Sequence, residues 1–506
     1  MAAGQRRAAG ELAAGAAAVL ASGISGAGAV AQADLLRAVH QARAAKVHAP
    51  AAVAVRVVEH LRAARRDEPA FRLAELADDL RDLLAACHRL AAGDATAIGV
   101  SRRDYEPVGD LRLHGIFCEP VRAATGHAGA VTYLADARGR VWVVSDVKPA
   151  DPAVAVSAVR ASVDLGEVRL SHRELSRSGL LAINAHASAA GRLSHGRARQ
   201  AVAASGSGWF AAPLDALWQT GLPAQVDRWL AAADLPAQER HAGHDLAFLD
   251  GNILGADRRG LLLDIRTSLT ADHLAAAEPD NDGPATMPGG IVVVTAPLED
   301  PALPYVANLR LLATHAAGRP VRLVGRFAGP RRVAGLAFAA PWLAARHGGH
   351  VDLGAGPLNR ADLEADPTPR PLGNTPPPAA DPGLSSMAGP SIPEADPAAP
   401  PLHLLRHHLE RVVSGGRAAL LAGVGEDARR LSDAHLGAAA AVLAGLGAAG
   451  VRRTRDVFGR LDPHDVHQLA RAWLTAAVYE QAATRETTRT AWVSAPEWHE
   501  PAGSRR

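Results

Sequence analysis

The sequence predicts a multidomain α+β protein, with helical regions at both ends and β-rich regions between them. Three observations lead to this prediction. The chain has 506 residues, well above the roughly 250 to 300 at which a single core stops growing. Apolar residues recur at helical spacing near both ends, whereas in the middle they alternate with a period of two. A proline-rich stretch separates the middle from the last helices.

Residues 1–100 are predicted to form a helical domain. Val53, Val57 and Leu61 lie one turn apart, as on the buried face of an amphipathic helix. The same spacing continues through residues 73–84, which are rich in leucine. Charged residues between these two stretches indicate a solvated corner that joins two helices.

The first 31 residues allow two interpretations. Arg6 and Arg7 precede an alanine-rich stretch that resembles a signal peptide. Glu11 interrupts this stretch, and its apolar residues can instead line a helical hairpin that is broken at SGISGAG. We favour the hairpin, and with it a cytoplasmic protein. An apolar run long enough to cross a membrane, about 18 residues, is not found, so no membrane span is predicted.

Residues 108–235 are predicted to form a first β-rich module with a helical insertion, and residues 236–364 a second β-rich module. In the first module, two β-rich runs flank a turn at residues 137–139, which indicates a β-hairpin. A second hairpin is expected in LAFLDGNILGADRRGLLLDI. Ser171 and Glu174, at capping-box spacing, predict a short helix inside the first module.

Both modules are predicted to be small β-barrels, with the OB type as the more specific form and one larger sandwich as the alternative. The segments LRLHGIFCEP (111–120) and VRLVGRFAGP (321–330) share the pattern Arg-Leu-x-Gly-x-Phe-x-x-Pro. A central glycine lets a strand bend at a barrel corner. Such a strand followed by a long hairpin is typical of the opening of an OB-type barrel.

The C-terminal third begins with residues 365–401, which are predicted to be a disordered Pro-rich linker because they contain few large apolar residues. Helical periodicity resumes in residues 402–488, which predicts a helical bundle. Residues 489–506 are predicted to be a flexible tail. Trp492 and Trp498 give this tail apolar groups that could dock onto the body of the protein or onto a partner.

Charge and residue usage exclude several kinds of site. The 54 basic and 52 acidic residues are interspersed, so no long basic run is available for a nucleic-acid backbone. Lys46 and Lys148 are the only lysines and neither follows a glycine, which excludes a conventional P-loop. Cys87 and Cys118 cannot build a disulfide framework or a zinc ribbon. Neither a catalytic motif nor a cofactor motif is recognised, and a non-enzymatic protein is predicted.

The first hairpin carries the candidate nucleic-acid-binding residues. If the modules are of the OB type, Tyr133 and Trp142 are expected to be exposed and to stack on bases. Arg112, Arg138 and Arg140 would then lie close enough to contact phosphates. The alternative is that one aromatic ring belongs to the core and the arginines protect a strand edge.

The best candidate for metal ligation is the cluster of His347, His350 and Asp352. Two glycines between the histidines permit a tight ligand loop. A zinc site requires three or four ligands in fixed geometry, and this cluster needs partners from elsewhere in the chain. No metal site is therefore predicted, and the cluster is retained only for the alternative of a metal-dependent enzyme.

Several segments together resemble an actinobacterial family whose members are encoded beside SWIM zinc-finger proteins, MoxR-type ATPases and von Willebrand A proteins. These segments are DLRLHGIFCEPV, VTYLADARGRVWVVSDV, LSHRELSRSGLL, LPYVANLRLLA with PVRLVGRFAG, and RRTRDVFGRL with ARAWLTAAVYE. The resemblance implies an accessory role with a protein partner, such as a SWIM zinc-finger protein or a MoxR-type ATPase, and brings no catalytic residues with it. The cysteine pattern of a SWIM finger is missing from the sequence.

The leading functional hypothesis is therefore a cytosolic adaptor or scaffold protein in a multiprotein system. The first alternative is a nucleic-acid-binding protein that uses the β modules, and the second is a metal-dependent enzyme.

Overall fold

A computed structural model describes residues 2–68, 71–99, 105–123, 126–163, 165, 169–194, 200–233, 235, 239–265, 290–297, 300–363, 400–454, 457 and 462–493. The chain divides into two compact units. The helical unit is formed by residues 1–103 and 395–487, and the β unit by residues 104–394 and 488–506. The predicted α+β class with helices at both ends is confirmed. The predicted linker lies almost entirely outside the described residues.

The helical unit combines both ends of the sequence in one core. Its helices are α1 (Ala3–Gly26), α2 (Ala29–Ala44), α3 (His48–Arg65), α4 (Leu73–Ala91), α10 (His403–Gly415), α11 (Val424–Asp433), α12 (Gly437–Val451) and α13 (Pro463–Val493), whose residues from 488 onward belong to the β unit. Leu20 and Leu80 share a buried cluster with Leu409 and Trp473. The two helical regions predicted as separate domains are thus a single unit, because each covers apolar surface of the other.

Helix α1 passes the length and composition test for a membrane span, and within the described chain it alone does so. Its side chains also form part of the helical core, where Leu12 and Leu20 are fully buried. Near the end of α1, Gly23 has a φ of 68°, and a Cβ there would lie 2.3 Å from the backbone nitrogen of Gly416. Two backbones cross at this point, so a side chain at Gly23 would be excluded by both conformation and space.

The first β module is a five-stranded antiparallel sheet. Its strands are β1 (Tyr105–Ala123), β2 (His127–Ala135), β3 (Val141–Pro149), β4 (Gly179–Ser188) and β5 (Gln200–Ala204), in the order β3-β2-β1-β4-β5. Two short helices, α5 (Val154–Ala158) and α6 (His172–Leu175), lie between β3 and β4 in the chain. A parallel bridge joins Val143 of β3 to Arg192, which follows β4. Strand β3, at one edge of the sheet, is therefore bridged to the segment after β4 at a single residue pair.

The second β module contains a ring of strands. Helices α7 (Ala216–Gln219) and α8 (Leu222–Ala232) precede β6 (Leu246–Asp257), β7 (Gly260–Asp264), β8 (Ile291–Thr295), α9 (Tyr305–His315), β9 (Pro320–Gly329), β10 (Arg332–Ala339) and β11 (Val351–Asp352). Strand β9 pairs with both β6 and β10, so β6-β7-β8-β10-β9 returns to its own first strand. Strands β8 and β10 are parallel, and the other pairs in the ring are antiparallel.

The two modules pack against each other inside the β unit. Phe117 and Tyr133 of the first sheet share a buried cluster with Phe248, Val324 and Leu336 of the second. The first sheet has a separate core on its other side, which includes Trp142. Both faces of the first hairpin are therefore covered.

Both predicted hairpins are confirmed. Ala135 pairs with Val141 across the turn between β2 and β3, and Asp257 pairs with Gly260 across the turn between β6 and β7. The predicted capping box is also present: the Ser171 side chain accepts a hydrogen bond from the Glu174 N–H, while the Glu174 carboxylate accepts one from the Ser171 N–H.

The repeated pattern at 111–120 and 321–330 does not mark equivalent strands. The first copy lies in β1, the opening strand of its module, and the second lies in β9, which comes fourth in its module. Both copies place a glycine near a shift in strand register. Gly115 borders a shift in the pairing of β1 with β2. Gly325 pairs with Gly335, which borders a shift in the pairing of β9 with β10. The shared pattern therefore reflects a common local bend rather than an internal duplication.

The start of the predicted tail is helical and buried. Helix α13 continues to Val493, and Trp492 is fully buried in the core of the second module. Its indole N–H donates to the Gly329 carbonyl at 3.0 Å, and its ring meets Phe327 edge to face. The flexible tail predicted from residue 489 is therefore wrong for residues 489–493. Residues 494–506, with Trp498, lie outside the described chain.

Candidate functional site

The two aromatic residues expected to stack on bases are buried. The Tyr133 ring stacks on Phe117, with ring centroids 4.4 Å apart, and its hydroxyl donates to the Glu119 carboxylate at 2.9 Å. The Trp142 side chain lies in the other core of the module, where its indole N–H donates to Asp136 at 3.1 Å. The expected exposure of both rings is contradicted, because each face of the hairpin is covered by a different core.

The three arginines expected beside these rings are exposed, but they lack an aromatic platform. Arg112 donates to the Ser205 carbonyl at 2.9 Å. Arg138 lies in the turn between β2 and β3, and the Arg140 guanidinium lies 4.3 Å from the centre of the Trp142 ring. Arg140 therefore covers a ring face of a core residue. The first hairpin does not form the predicted base-stacking site.

Asp352, one of the candidate metal ligands, is instead the acceptor of a buried network between the two modules. Its carboxylate pairs with Arg177 at 3.0 Å and accepts the N–H of Cys118 at 3.0 Å. The imidazole of His350 lies 3.3 Å from the same carboxylate and stacks on Trp209. Burial opposes ionisation of Asp352, but Arg177 and its other partners outweigh burial and hold the pKa of the carboxyl well below its usual range.

The third member of the candidate metal cluster points elsewhere. The His347 imidazole contacts Asp362 at 2.7 Å, and Arg346 pairs with the same carboxylate. No group of three or more potential ligands is found in the described part of the chain. The structure thus brings His350 and Asp352 together without His347, and Arg177 neutralises the carboxylate that a metal ion would need.

A second ionic group lies at the same junction of the modules. Arg326 of β9 pairs with Glu119 of β1 at 2.8 Å and with Asp245 at 2.7 Å. The negative charge of Glu119, with the neighbouring Tyr133 and Asp245, raises the pKa of Arg326 despite its burial. Burial, reinforced by Glu119, raises the pKa of the Tyr133 hydroxyl. Both raised pKa values keep Arg326 charged and Tyr133 neutral at neutral pH, as befits a structural junction.

One arrangement in the first module has the composition of a catalytic triad. The Thr132 hydroxyl lies 2.8 Å from His172 Nδ1, and His172 Nε2 lies 3.0 Å from the Asp146 carboxylate. Thr132 and His172 are both fully buried, so a substrate has no access to the hydroxyl. The Thr132 hydroxyl also lies 3.2 Å from the His172 carbonyl. The group ties α6 to the sheet and offers no nucleophile.

Basic turns flank one face of the second module. The turn between β6 and β7 carries Arg258 and Arg259, both exposed, and the turn between β9 and β10 carries Arg331 and Arg332. Arg259 pairs with Asp257 at 2.7 Å. Arg331 donates to the Ala491 carbonyl near the end of α13, which anchors the second turn.

Between these turns, the outer face of β7 and β8 carries apolar residues, of which Leu262 is half-buried and Val293 is buried. Leu261 and Leu263 point into the core, so the alternate residue Leu262 points outward. Leu262 pairs with Val293, and Val293 pairs with Arg332. These three residues lie in one row across three strands, with the buried Val293 between the half-buried Leu262 and Arg332. Asp264 adds a carboxylate at the far end of β7.

Known proteins offer no counterpart for this geometry. No protein-family profile matches the chain, and neither the curated proteins nor the solved structures compared with it give a significant match. The signals that sequence reasoning missed are the two Arg-Arg pairs, in ADRRG and GPRRV, each at the tip of a hairpin.

Proposed function

We propose that this chain is a non-enzymatic nucleic-acid-binding protein, and that its second β module holds single-stranded nucleic acid between two basic turns. The observation that carries the proposal is the ring β6-β7-β8-β10-β9 with its parallel β8–β10 pair and with α9 before the fourth strand. This is the strand order of an OB-type barrel. Such barrels bind oligonucleotides on the face of their second and third strands and on two adjacent loops.

The basic turns coincide with those two loops. The turn with Arg258 and Arg259 joins the first and second strands of the ring, and the turn with Arg332 joins the fourth and fifth. On this face the second strand supplies an apolar surface at the half-buried Leu262, beside the buried Val293 of the third strand. Arginines would pair with phosphates while this surface contacts sugars and bases, without selecting a sequence.

The first module has the same strand order, β3-β2-β1-β4-β5, with a parallel bridge from its third strand. This supports two OB-like modules in tandem. We assign the first one to a supporting role, because its hairpin is buried against the second module. Cys87 and Cys118 are both buried and unpaired, which is in keeping with a reducing cytoplasm as the place of action.

Fluorescence anisotropy with a labelled single-stranded oligonucleotide, using the full chain at several salt concentrations, tests this proposal. With about three or four phosphates neutralised, the logarithm of the binding constant should fall against the logarithm of salt with a slope of about −2 to −3. The double variant Arg258→Ala/Arg332→Ala should bind more weakly and with a shallower slope, because two phosphate contacts are lost.

The matched control is Arg138→Ala/Arg140→Ala on the first module, which removes the same charge from a hairpin turn. We expect this control to bind like the unsubstituted chain. Equal weakening by both double variants would contradict a site on the second module. If no salt-dependent binding is found, nucleic acid is rejected as the ligand. The adaptor hypothesis, with a protein partner on the same face, would then be favoured.

A further inference from the structure

A cavity of about 280 Å³ opens on the surface of the helical unit, between α12 and α13. Gly445 and Ala448 of α12 form part of its floor, and Arg452, Gln468 and Arg471 form its polar side. A Cβ added at Gly445 would meet nothing within 4 Å, so the floor is open at this position. The cavity thus combines a smooth, small-residue floor with two guanidinium groups.

In the described part of the chain, no acidic side chain balances the charge at this cavity. Helix α12 contains no charged residue. Among the described residues, neither Arg452 nor Arg471 forms an ion pair, and Arg452 donates instead to the Gln468 side-chain oxygen at 2.7 Å. The nearby Asp465 carboxylate is engaged with the Thr454 N–H at 2.7 Å. Two arginines that line an open cavity, with no acid among its described lining residues, favour an anionic ligand.

We propose that this cavity binds a small phosphate monoester, with the phosphate held by Arg452 and Arg471. A guanidinium presents paired N–H donors that match the oxygens of a phosphate, and Gln468 fixes the position of one of them. The remainder of the ligand lies on the floor at Gly445. The cavity is slightly smaller than the roughly 300 to 1,000 Å³ of sites for drug-sized ligands, which limits the ligand to about the size of a nucleoside monophosphate.

Isothermal titration of the full chain with AMP, and separately with inorganic phosphate, tests this assignment. We expect saturable binding of both probes. Arg471→Gln should weaken both by roughly tenfold to a hundredfold, because a charged hydrogen-bonding group is lost. Gly445→Leu should abolish AMP binding and retain phosphate binding, because the leucine fills the floor and leaves the arginines in place. Leucine also favours the helix more than glycine, so this variant should fold.

The matched control is Arg429→Gln, which removes the same charge from an exposed position on α11 of the same unit. It should bind both probes as the unsubstituted chain does. The proposal is overturned if neither probe binds saturably, if Arg429→Gln weakens binding as much as Arg471→Gln, or if Gly445→Leu leaves AMP binding unchanged. Oligonucleotide binding measured on Arg471→Gln should not change, so this site and the proposed nucleic-acid site fail independently.

Discussion

The two β modules share one order of strands and use it differently. In the first, the hairpin of β2 and β3 is covered on both faces, by its own core and by the second module. In the second, the outer face of β7 keeps the half-buried Leu262, beside the buried Val293 of β8, and basic turns border it. The difference teaches that strand order alone does not locate a binding face, since burial against a neighbour removes the same face from use.

The largest expected effect is on the network that joins the modules. In Asp352→Ala, the half-buried Arg177 loses the buried carboxylate that it pairs with, and the Cys118 N–H loses its acceptor. Removing one partner of a buried ion pair costs about 3–5 kcal/mol of unfolding free energy. Urea unfolding followed by tryptophan fluorescence measures this cost.

Asp257→Ala is the control for this change, because it removes a carboxylate from an exposed pair in the same unit. A midpoint for Asp352→Ala that matches this control would show that the modules are held together by apolar packing alone.

A smaller contrast is expected between the two hairpin turns. Asp136 accepts the N–H groups of Arg138 and Arg140 and also the indole N–H of Trp142. Asp136→Ala should cost about 1–3 kcal/mol, because the partly buried indole is left without its acceptor. Asp257→Ala in the second module should cost less than about 1 kcal/mol, because its turn is exposed. Equal losses of stability in thermal unfolding would contradict the view that the turn of the first hairpin is more buried than that of the second.

The smallest effect is a change in pH dependence. Burial lowers the pKa of His350 despite the attraction of Asp352. As pH falls below the unfolded value of about 6.5, the unfolded chain takes up the proton first, and stability is lost until the folded pKa is reached. The variant His350→Gln should therefore lose less stability between pH 7.5 and pH 5.5 than the unsubstituted chain.

Urea midpoints at the two pH values provide the measurement for this prediction. His315→Gln, at an exposed position of the same unit, is the control and should keep the original pH dependence. An undiminished loss in His350→Gln would assign the acid sensitivity to other groups.

Local patterns predicted the hairpins and the short helix correctly, because alternation, turn residues and a capping box act over a few residues. The pairing of β9 with both β6 and β10 joins segments that are far apart in the chain, and no local signal encodes it. The shared helical core was missed for the same reason. Trp492 was assigned to a tail because the polar residues before it do not indicate a helix. Helix α13 nevertheless continues to Val493, and Trp492 belongs to the core of the second module.

The base-stacking rings were expected to be exposed on the first hairpin, and they are buried there for a physical reason. Alternation shows that one face of a strand is apolar, but Tyr133 and Trp142 lie on opposite faces that are both covered. His347 and His350 are close in sequence, yet the glycines between them turn the two rings toward different carboxylates. The arginine pairs of the basic turns can be seen in the sequence, but only the ring of strands places both turns beside one face of the module.

The discontinuity of the helical unit has a consequence for synthesis. Helices α1–α4 leave the ribosome first, while their partners α10–α12 follow about 290 residues later. At about 5–20 residues per second, the interval is roughly 15 to 60 seconds. During this time the apolar side chains of α1–α4 lack their final cover, and the crossing of Gly23 with Gly416 cannot form. The helical core can therefore be completed only after the whole β-rich middle of the chain has been synthesised.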